Sequence, residues 1–65
     1  SVFKQIPFLT NYSITPFGDV IKLSKFENSK VYTNHDSKGV ETVLLDGVTY
    51  KIDYLLKQTW GLIND

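Results

Sequence analysis

The stretch that decides the fold runs from Val40 to Trp60 and reads VETVLLDGVTYKIDYLLKQTW. At its centre, Asp46-Gly47 is a signal for a two-residue type I′ hairpin turn, because Gly accepts a positive φ and Asp tolerates one. A turn of that length predicts the pairs Leu45 with Val48, Val43 with Tyr50, and Glu41 with Ile52. The period-two pattern then predicts an inward and an outward face. The inward face carries Val43, Leu45, Val48, Tyr50 and Ile52, and the outward face carries Thr42, Leu44, Thr49 and Lys51.

A short helix over residues 53–61 is expected directly after this hairpin. Asp53 is a favourable N-cap because its carboxylate can accept the free N–H groups of the first turn. Gly61 offers a left-handed C-terminal stop. Apolar or half-apolar residues recur at helical spacing at Ile52, Leu55, Leu56, Thr59, Trp60 and Ile63. Because so short a helix is marginal alone, it must pack on the inward face of the hairpin.

The N-terminal segment, Ser1–Thr10, is apolar and aromatic. Pro7 disfavours a regular helix there, so we expect an extended segment laid across the domain. Its candidates for packing are Phe3, Ile6, Phe8 and Leu9. The alternative is a docking arm that inserts into a partner.

A second hairpin is expected between the N-terminal segment and the central one. Residues 11–15 and 20–26 are predicted strands, and Pro16-Phe17-Gly18-Asp19 between them is a turn. The inward face of the second strand is open, since both Val20 and Ile21 are apolar. Residues 27–30 are a predicted polar turn, 31–33 a short strand and 34–39 a loop. These elements predict one α+β domain over residues 1–65, with four to five antiparallel strands within 11–52 and one C-terminal helix on one face.

Composition bounds the function further. The 65 residues carry seven lysines, seven acidic residues, no arginine and no cysteine, for a formal net charge of zero. Without cysteine there are no disulfides or thiolate metal sites, which fits a cytosolic protein. We expect no membrane span, because no apolar run approaches the ~20 residues required. The absence of arginine disfavours sequence-specific reading of DNA bases.

The strongest candidate for catalysis is Asn34-His35-Asp36, with Ser37 next to it. A histidine beside a carboxylate could act as a general base. Neighbours in one loop rarely form a triad, however, because triad members usually come from separate elements. One histidine and scattered carboxylates do not make a metal site. We therefore expect no enzyme activity, no metal, no cofactor and no small-molecule substrate.

Two sets of residues are candidates for binding. Lys22, Lys25 and Lys51, with Thr42 and Thr49, could meet phosphates on the sheet face away from the helix; the alternative is an ordinary solvated face. Aromatic residues that exceed the needs of a small core could stack bases or anchor a protein partner, the alternative being core packing. These residues are Phe3, Phe8, Phe17, Tyr32 and Tyr54.

Four pieces follow one another along the chain: Tyr12-Ser13-Ile14-Thr15-Pro16-Phe17-Gly18-Asp19-Val20, then Val43–Gly47, Tyr50–Leu56 and Trp60. Their order resembles the NUMOD4-type domain found beside HNH homing endonucleases, especially in bacteriophages. The four pieces cover most of residues 8–61 and are mainly structural positions. The resemblance implies a module that helps a nuclease hold DNA, without cleavage, since no HNH motif is present. Basic positions of the family are occupied here by Asp19, Ile21 and Asp53-Tyr54.

Two functions of different classes follow as hypotheses. The first is a non-catalytic, bacteriophage-derived module that touches nucleic-acid backbone through Lys22, Lys25 and Lys51. The second is a protein-interaction module, either a small virion component or a binder that modulates a larger machine. Zero net charge, the lack of arginine, the spare aromatic residues and the apolar N-terminal segment favour the second. For either function, the expected location is the host cytoplasm or the virion.

Overall fold

The computed structural model describes residues 2–61, which form seven β-strands and one α-helix. The strands are β1 (Lys4–Ile6), β2 (Leu9–Ile14), β3 (Val20–Leu23), β4 (Asn28–Val31), β5 (Asn34–His35), β6 (Glu41–Leu45) and β7 (Val48–Lys51), and the helix is α1 (Ile52–Trp60). All pairings are antiparallel, in one sheet ordered β1-β2-β3-β4 and another ordered β5-β6-β7. The predicted α+β class with a C-terminal helix is confirmed, although the strands number seven in two sheets.

The central hairpin forms with the predicted turn. Asp46 and Gly47 have φ of 52° and 81°, as a type I′ turn requires. The pairs Leu45↔Val48 and Val43↔Tyr50 are confirmed. The pair of Glu41 with Ile52 is not formed, because the chain has already turned into the helix at Ile52.

The inward face of this hairpin is narrower than the alternation predicted. Val43 and Leu45 are fully buried, whereas Val48 is half exposed and Tyr50 only partly buried. Leu45 is buried beside the same turn, so period-two patterning alone does not decide burial, which also depends on what covers each side chain.

The helix begins at Ile52 rather than at Asp53. Lys51 holds the extended N-cap position with no side-chain cap, so the predicted role of Asp53 as the cap is wrong. Asp53 instead lies in the first turn, where its negative charge interacts favourably with the positive end of the helix dipole. The predicted stop is confirmed: Gly61 has φ 72° and its N–H donates to the Lys57 carbonyl at 3.0 Å. Ile63 lies outside the described residues.

The N-terminal segment is the start of a hairpin rather than the single extended segment that was predicted. β1 and β2 pair around a tight turn at Pro7-Phe8, with an irregularity between Gln5 and Ile6. Ile6 and Leu9 are buried as predicted, and Phe3 and Phe8 remain partly exposed. In the sequence, Pro7 was used only as evidence against a helix. The hairpin was not predicted, because a strand at β1 forms only when β2 pairs with it.

The second hairpin, β2 with β3, forms around the predicted turn. The Gly18 N–H donates to the Thr15 carbonyl at 3.1 Å, and Gly18 has φ 95°. The buried Thr15 hydroxyl accepts the N–H groups of Phe17 at 3.2 Å and Asp19 at 3.1 Å. Val20 is 1% exposed and Ile21 is intermediate, which assigns the Val20 side to the core.

Strand boundaries differ from the predictions further along this hairpin. β3 ends at Leu23 instead of Phe26, and β4 begins at Asn28 within the predicted polar turn. Residues 34 and 35 form β5 within the predicted loop. The predicted strand at 31–33 is wrong beyond Val31, which ends β4. The remaining residues of β4 and those of β5 are polar, and they form strands because a neighbouring strand supplies backbone partners, which outweighs weak local preference.

The core lies between the two sheets and the helix. The helix packs on β1 and β2 of one sheet and on β6 and β7 of the other. The buried residues of the core are Ile6, Leu9, Tyr12, Ile14, Val20, Val43, Leu45, Ile52 and Leu55. Two long-range hydrogen bonds join the layers: Tyr12 hydroxyl to Asp46 Oδ1 at 3.1 Å, and Trp60 Nε1–H to the Ile14 carbonyl at 2.9 Å.

Candidate nucleic-acid interface

The most basic part of the described chain is the hairpin of residues 20–32, hereafter the basic hairpin. It comprises β3, the turn at 24–27, β4 and Tyr32. It carries three lysines, Lys22, Lys25 and Lys30, against one carboxylate, Glu27. All four of these side chains are exposed, so the segment presents a local positive charge on a chain of zero net charge.

A hydrogen-bonded turn holds the tip of the basic hairpin. The Ser24 N–H donates to the Glu27 carbonyl at 3.2 Å, and the Glu27 N–H donates to the Ser24 hydroxyl at 3.1 Å. The Ser24 hydroxyl also donates to the Glu27 carbonyl. These bonds satisfy the turn locally, so Lys25 and Phe26 between them are free to point outward.

Each end of the basic hairpin carries a lysine beside an exposed ring. Lys25 Nζ lies 5.9 Å from the centroid of Phe26, whose side chain is 91% exposed. Lys30 Nζ lies 5.7 Å from the centroid of Tyr32, which is 78% exposed. Both distances fall within the ~6 Å range of cation–π attraction. The arrangement offers an ammonium group and an aromatic surface side by side at two places.

The lysines of the basic hairpin lie on different sides of it. Lys22 pairs with Tyr12 and Ser29, on the side of β3 that also carries Val20. Lys30 pairs with Ile21, on the opposite side. Lys22 was expected to lie away from the core; instead it shares the core-facing side of the sheet and is exposed beyond the core's edge.

The other predicted phosphate contacts lie in the second sheet. Thr42 pairs with Lys51 and Leu44 with Thr49, so these four residues share one face, as the alternation predicted. Leu44 is 59% exposed in the middle of that face, which makes it partly apolar. The expectation that Lys22, Lys25 and Lys51 line a single sheet is therefore wrong, because the chain divides its strands between two sheets.

Among the predicted partner-binding residues, Phe8 and Tyr54 come together with Tyr50, and we term these three the aromatic cluster. The ring centroids are 5.8 Å apart for Phe8–Tyr50, 5.9 Å for Phe8–Tyr54 and 6.5 Å for the nearly parallel Tyr50–Tyr54 pair. Phe8 and Tyr54 are each almost half exposed. Phe17 is 88% exposed in the turn before β3, and Tyr32 belongs to the basic hairpin.

Sequence reasoning missed three participants. Phe26 was assigned to a strand, although it directly follows Lys25 in the sequence. Lys30 was assigned to a polar turn, although it lies two residues before Tyr32. Tyr50 was placed on the inward face, and its contact with Tyr54 depends on where the helix begins.

The predicted loop of residues 34–39, which contains His35, is closed by hydrogen bonds of its own. The Asp36 carboxylate accepts the N–H groups of Lys38 at 2.8 Å and Val40 at 3.0 Å, which closes the loop on itself. His35 pairs with Glu41 across β5 and β6. The carboxylate of Asp36 is thus engaged by backbone donors. Among residues 2–61, no group of three His, Cys, Asp or Glu is arranged to hold a metal ion.

A cavity of about 270 Å³ lies at the base of the basic hairpin. It is lined by Gly18, Asp19, Val20, Lys30, Val31, Tyr32, Thr33 and Glu41. Thr33 donates a hydrogen bond of 2.5 Å to Glu41, so that carboxylate is already engaged. Asp19 and Glu41 place two carboxylates on its wall beside the single ammonium group of Lys30, so the interior of the cavity does not favour phosphate, and the exposed Lys30 can meet a phosphate only outside it.

The buried Tyr12 has a raised pKa. Burial, the hydrogen bond to Asp46 and the Asp46 charge all raise the pKa of Tyr12, although a backbone contribution from Asp46 opposes them. The neutral phenol is the form that the fold requires there. Its role is to join the first sheet to the central turn, and it lies outside the basic hairpin.

Comparisons with known proteins identified no related family, protein or structure. No protein-family model matches the chain, and no curated protein or solved structure matches it significantly. The resemblance to NUMOD4-type domains therefore stays a prediction. Within residues 2–61, no helix has the length and apolar character that crossing a bilayer would take.

Proposed function

We propose that this domain is a non-catalytic nucleic-acid-binding module that contacts the phosphate backbone through the lysines of the basic hairpin. The observation that carries the proposal is the pairing of an exposed lysine with an exposed aromatic ring at both ends of one hairpin. Lysine ammonium groups neutralise phosphates, and aromatic rings accept bases. The family resemblance supports an origin in a bacteriophage, and action in the host cytoplasm or virion agrees with both that resemblance and the absence of cysteine.

The charge distribution sets the expected strength of binding. With no arginine and a net charge of zero, attraction comes from local lysines and not from the whole molecule. Non-specific binding of this electrostatic kind has dissociation constants of about 10⁻⁴–10⁻⁶ M at physiological salt. We expect affinity at the weak end of that range, with little dependence on base sequence.

Salt dependence tests the proposal. If Lys22, Lys25 and Lys30 each displace one counterion, raising salt from about 50 to 200 mM should weaken binding roughly 20-fold for a single strand and 40-fold for a duplex. The measurement is fluorescence anisotropy of a labelled oligonucleotide of about 12 nucleotides, a length within known site sizes. Absence of binding at the lower salt, at protein concentrations of about 10⁻⁴ M, would overturn the proposal.

A pair of charge-matched variants locates the surface. One replaces Lys22, Lys25 and Lys30 with Gln, and the other replaces Lys38, Lys51 and Lys57. All six lysines are exposed, so both variants should fold and both lose three positive charges. We expect the first to lose binding and the second to retain most of it. The reverse result would place the contact near Lys51, on the second sheet.

A second candidate function is protein interaction through the aromatic cluster. The observation in its favour is that Phe8 and Tyr54 remain almost half exposed while their rings contact each other and Tyr50. Exposed aromatic groups of this kind often anchor protein interfaces. A stoichiometric partner that binds the wild type and Phe17→Ser, but not Tyr54→Ser, would support this function. Equal recovery with all three proteins would count against it.

A further inference from the structure

We propose that the basic hairpin selects single-stranded over double-stranded nucleic acid, with unpaired bases stacking on Phe26 and Tyr32 while Lys25 and Lys30 contact the adjoining phosphates. This inference rests on the proposed function and names its ligand class. The basic hairpin carries both the lysines and the aromatic rings, but charge attraction and base stacking make different demands on the ligand. A duplex offers phosphates without free base faces, whereas a single strand offers both.

The two rings contribute nothing visible to the core. Neither Phe26 nor Tyr32 belongs to the buried cluster or to the partly buried residues packed against it. With 91% and 78% of their surfaces exposed, they are among the most exposed large apolar side chains of residues 2–61. Their water-facing surface is therefore available to a ligand that presents a flat apolar face.

The lysines beside the rings favour a polynucleotide over an apolar partner. An ammonium group within 6 Å of each ring centroid brings positive charge to the same place as the aromatic surface. Each nucleotide carries a base and a phosphate in close succession, so one nucleotide can meet a ring and its lysine together. An apolar peptide would leave the two ammonium groups without counter-charges, which costs affinity.

The shape of the hairpin tip disfavours duplex recognition. β2 pairs with β3 only as far as Lys22, and beyond it the basic hairpin has one further pair, Leu23↔Asn28, before the turn. The major groove admits a two-stranded ribbon, but it is about 8.5 Å deep, and a single pair plus a turn presents few side chains to its floor. The chain also has no arginine for bidentate contacts to guanine.

The test compares one sequence of about 12 nucleotides in three forms: single strand, duplex, and a single strand whose bases are removed while its phosphates remain. Anisotropy is measured at low salt with the wild type, Phe26→Ala and Tyr32→Ala. We expect the single strand to bind most tightly, and each substitution to weaken its binding by roughly 5- to 150-fold, the range that base–aromatic stacking covers. Both variants should bind the abasic strand as the wild type does.

Matched variants separate stacking from general loss of apolar surface. Phe17→Ala removes a ring that is 88% exposed in a different turn, and it should leave binding unchanged. Phe26→Tyr and Tyr32→Phe keep a ring at each site and should retain single-strand binding. Circular dichroism of every variant checks that the fold is kept, which is expected because the altered side chains are exposed. Deoxyribose and ribose strands are run in parallel, because single strands of either kind leave their base faces free to stack.

The outcomes distinguish this inference from the proposed function. If duplex and single strand bind equally and the ring substitutions have no effect, while Lys→Gln changes still weaken binding, the selectivity is refuted and backbone binding stands. If polyglutamate competes as well as the single strand does, the surface is a general polyanion site and the inference is refuted. If no oligonucleotide binds at low salt, both proposals are refuted together.

Discussion

Replacement of Gly18 by Ala should severely destabilise the domain. Gly18 is buried in the turn before β3 and has φ 95°, where an L-residue is strained by about 1–2 kcal/mol. An added Cβ would also lie 3.0 Å from Cγ2 of Ile52, the first residue of the helix. Crowding in a packed core costs about 1–3 kcal/mol more. The expected loss is therefore about 2–5 kcal/mol, comparable with the whole stability of a domain this size.

The assay is urea unfolding at low temperature, with an osmolyte present if the variant is largely unfolded in buffer alone. Gly47→Ala is the matched control. Gly47 has φ 81°, but nothing lies within 4 Å of the position of its Cβ. It should therefore show only the backbone strain of about 1–2 kcal/mol. The difference between the two variants measures the contact with Ile52.

A double-mutant cycle isolates that contact further. Leucine has no branch at Cβ, so Ile52→Leu removes the methyl group that the new Cβ would meet. The combination of Gly18→Ala with Ile52→Leu should be less destabilised than the sum of the single changes, by about 0.5–3 kcal/mol. Simple additivity, or equal unfolding midpoints for Gly18→Ala and Gly47→Ala, would refute this account of the turn.

Two further predictions concern the hydrogen bonds that join the layers, and a third concerns the hydrogen bonds within the turn before β3. Because the pKa of Tyr12 is raised in the folded state, stability should hold below about pH 10 and fall as pH rises through the folded-state pKa, and urea midpoints should show a flatter alkaline profile for Tyr12→Phe. Trp60→Phe removes the donor to the Ile14 carbonyl and should lower the free energy of unfolding by about 1–3 kcal/mol, measured by urea unfolding followed by circular dichroism. Thr15→Val leaves two backbone N–H groups of its turn without an acceptor and should cost a similar amount, read as a lower thermal midpoint, whereas Thr10→Val on the surface should cost little.

Contrary results would be informative in each case. A Tyr12→Phe variant with the same alkaline profile as the wild type would show that another group controls unfolding there. Trp60→Phe with unchanged stability would mean that the Ile14 carbonyl finds another donor. Equal midpoints for Thr15→Val and Thr10→Val would remove the buried hydroxyl from the account of the turn.

Local chemistry in the sequence was sufficient for the central hairpin, the helix and its stop. A type I′ turn needs positive φ at two residues, and Asp46-Gly47 is among the few pairs that accept it. That turn then sets the register, because a two-residue loop leaves only one pairing of Val43 and Tyr50. Gly61 ends the helix for the same kind of reason, since a left-handed cap favours Gly. The α+β class followed from these elements together.

The division into two sheets and the position of the proposed binding residues were decided by tertiary structure. β1, β4 and β5 are short and carry weak strand signals, and they form because a neighbouring strand completes their backbone hydrogen bonds. The start of the helix at Ile52 depends on burial of that side chain beside Gly18 and not on a capping residue. Lys25 lies next to Phe26 and Lys30 two residues from Tyr32 in the sequence, but the exposure of both rings depends on the strand pairing that leaves them outside the core. Residue types are local information, but which side chains share a surface is set by non-local strand pairing, which no single stretch of this sequence encodes.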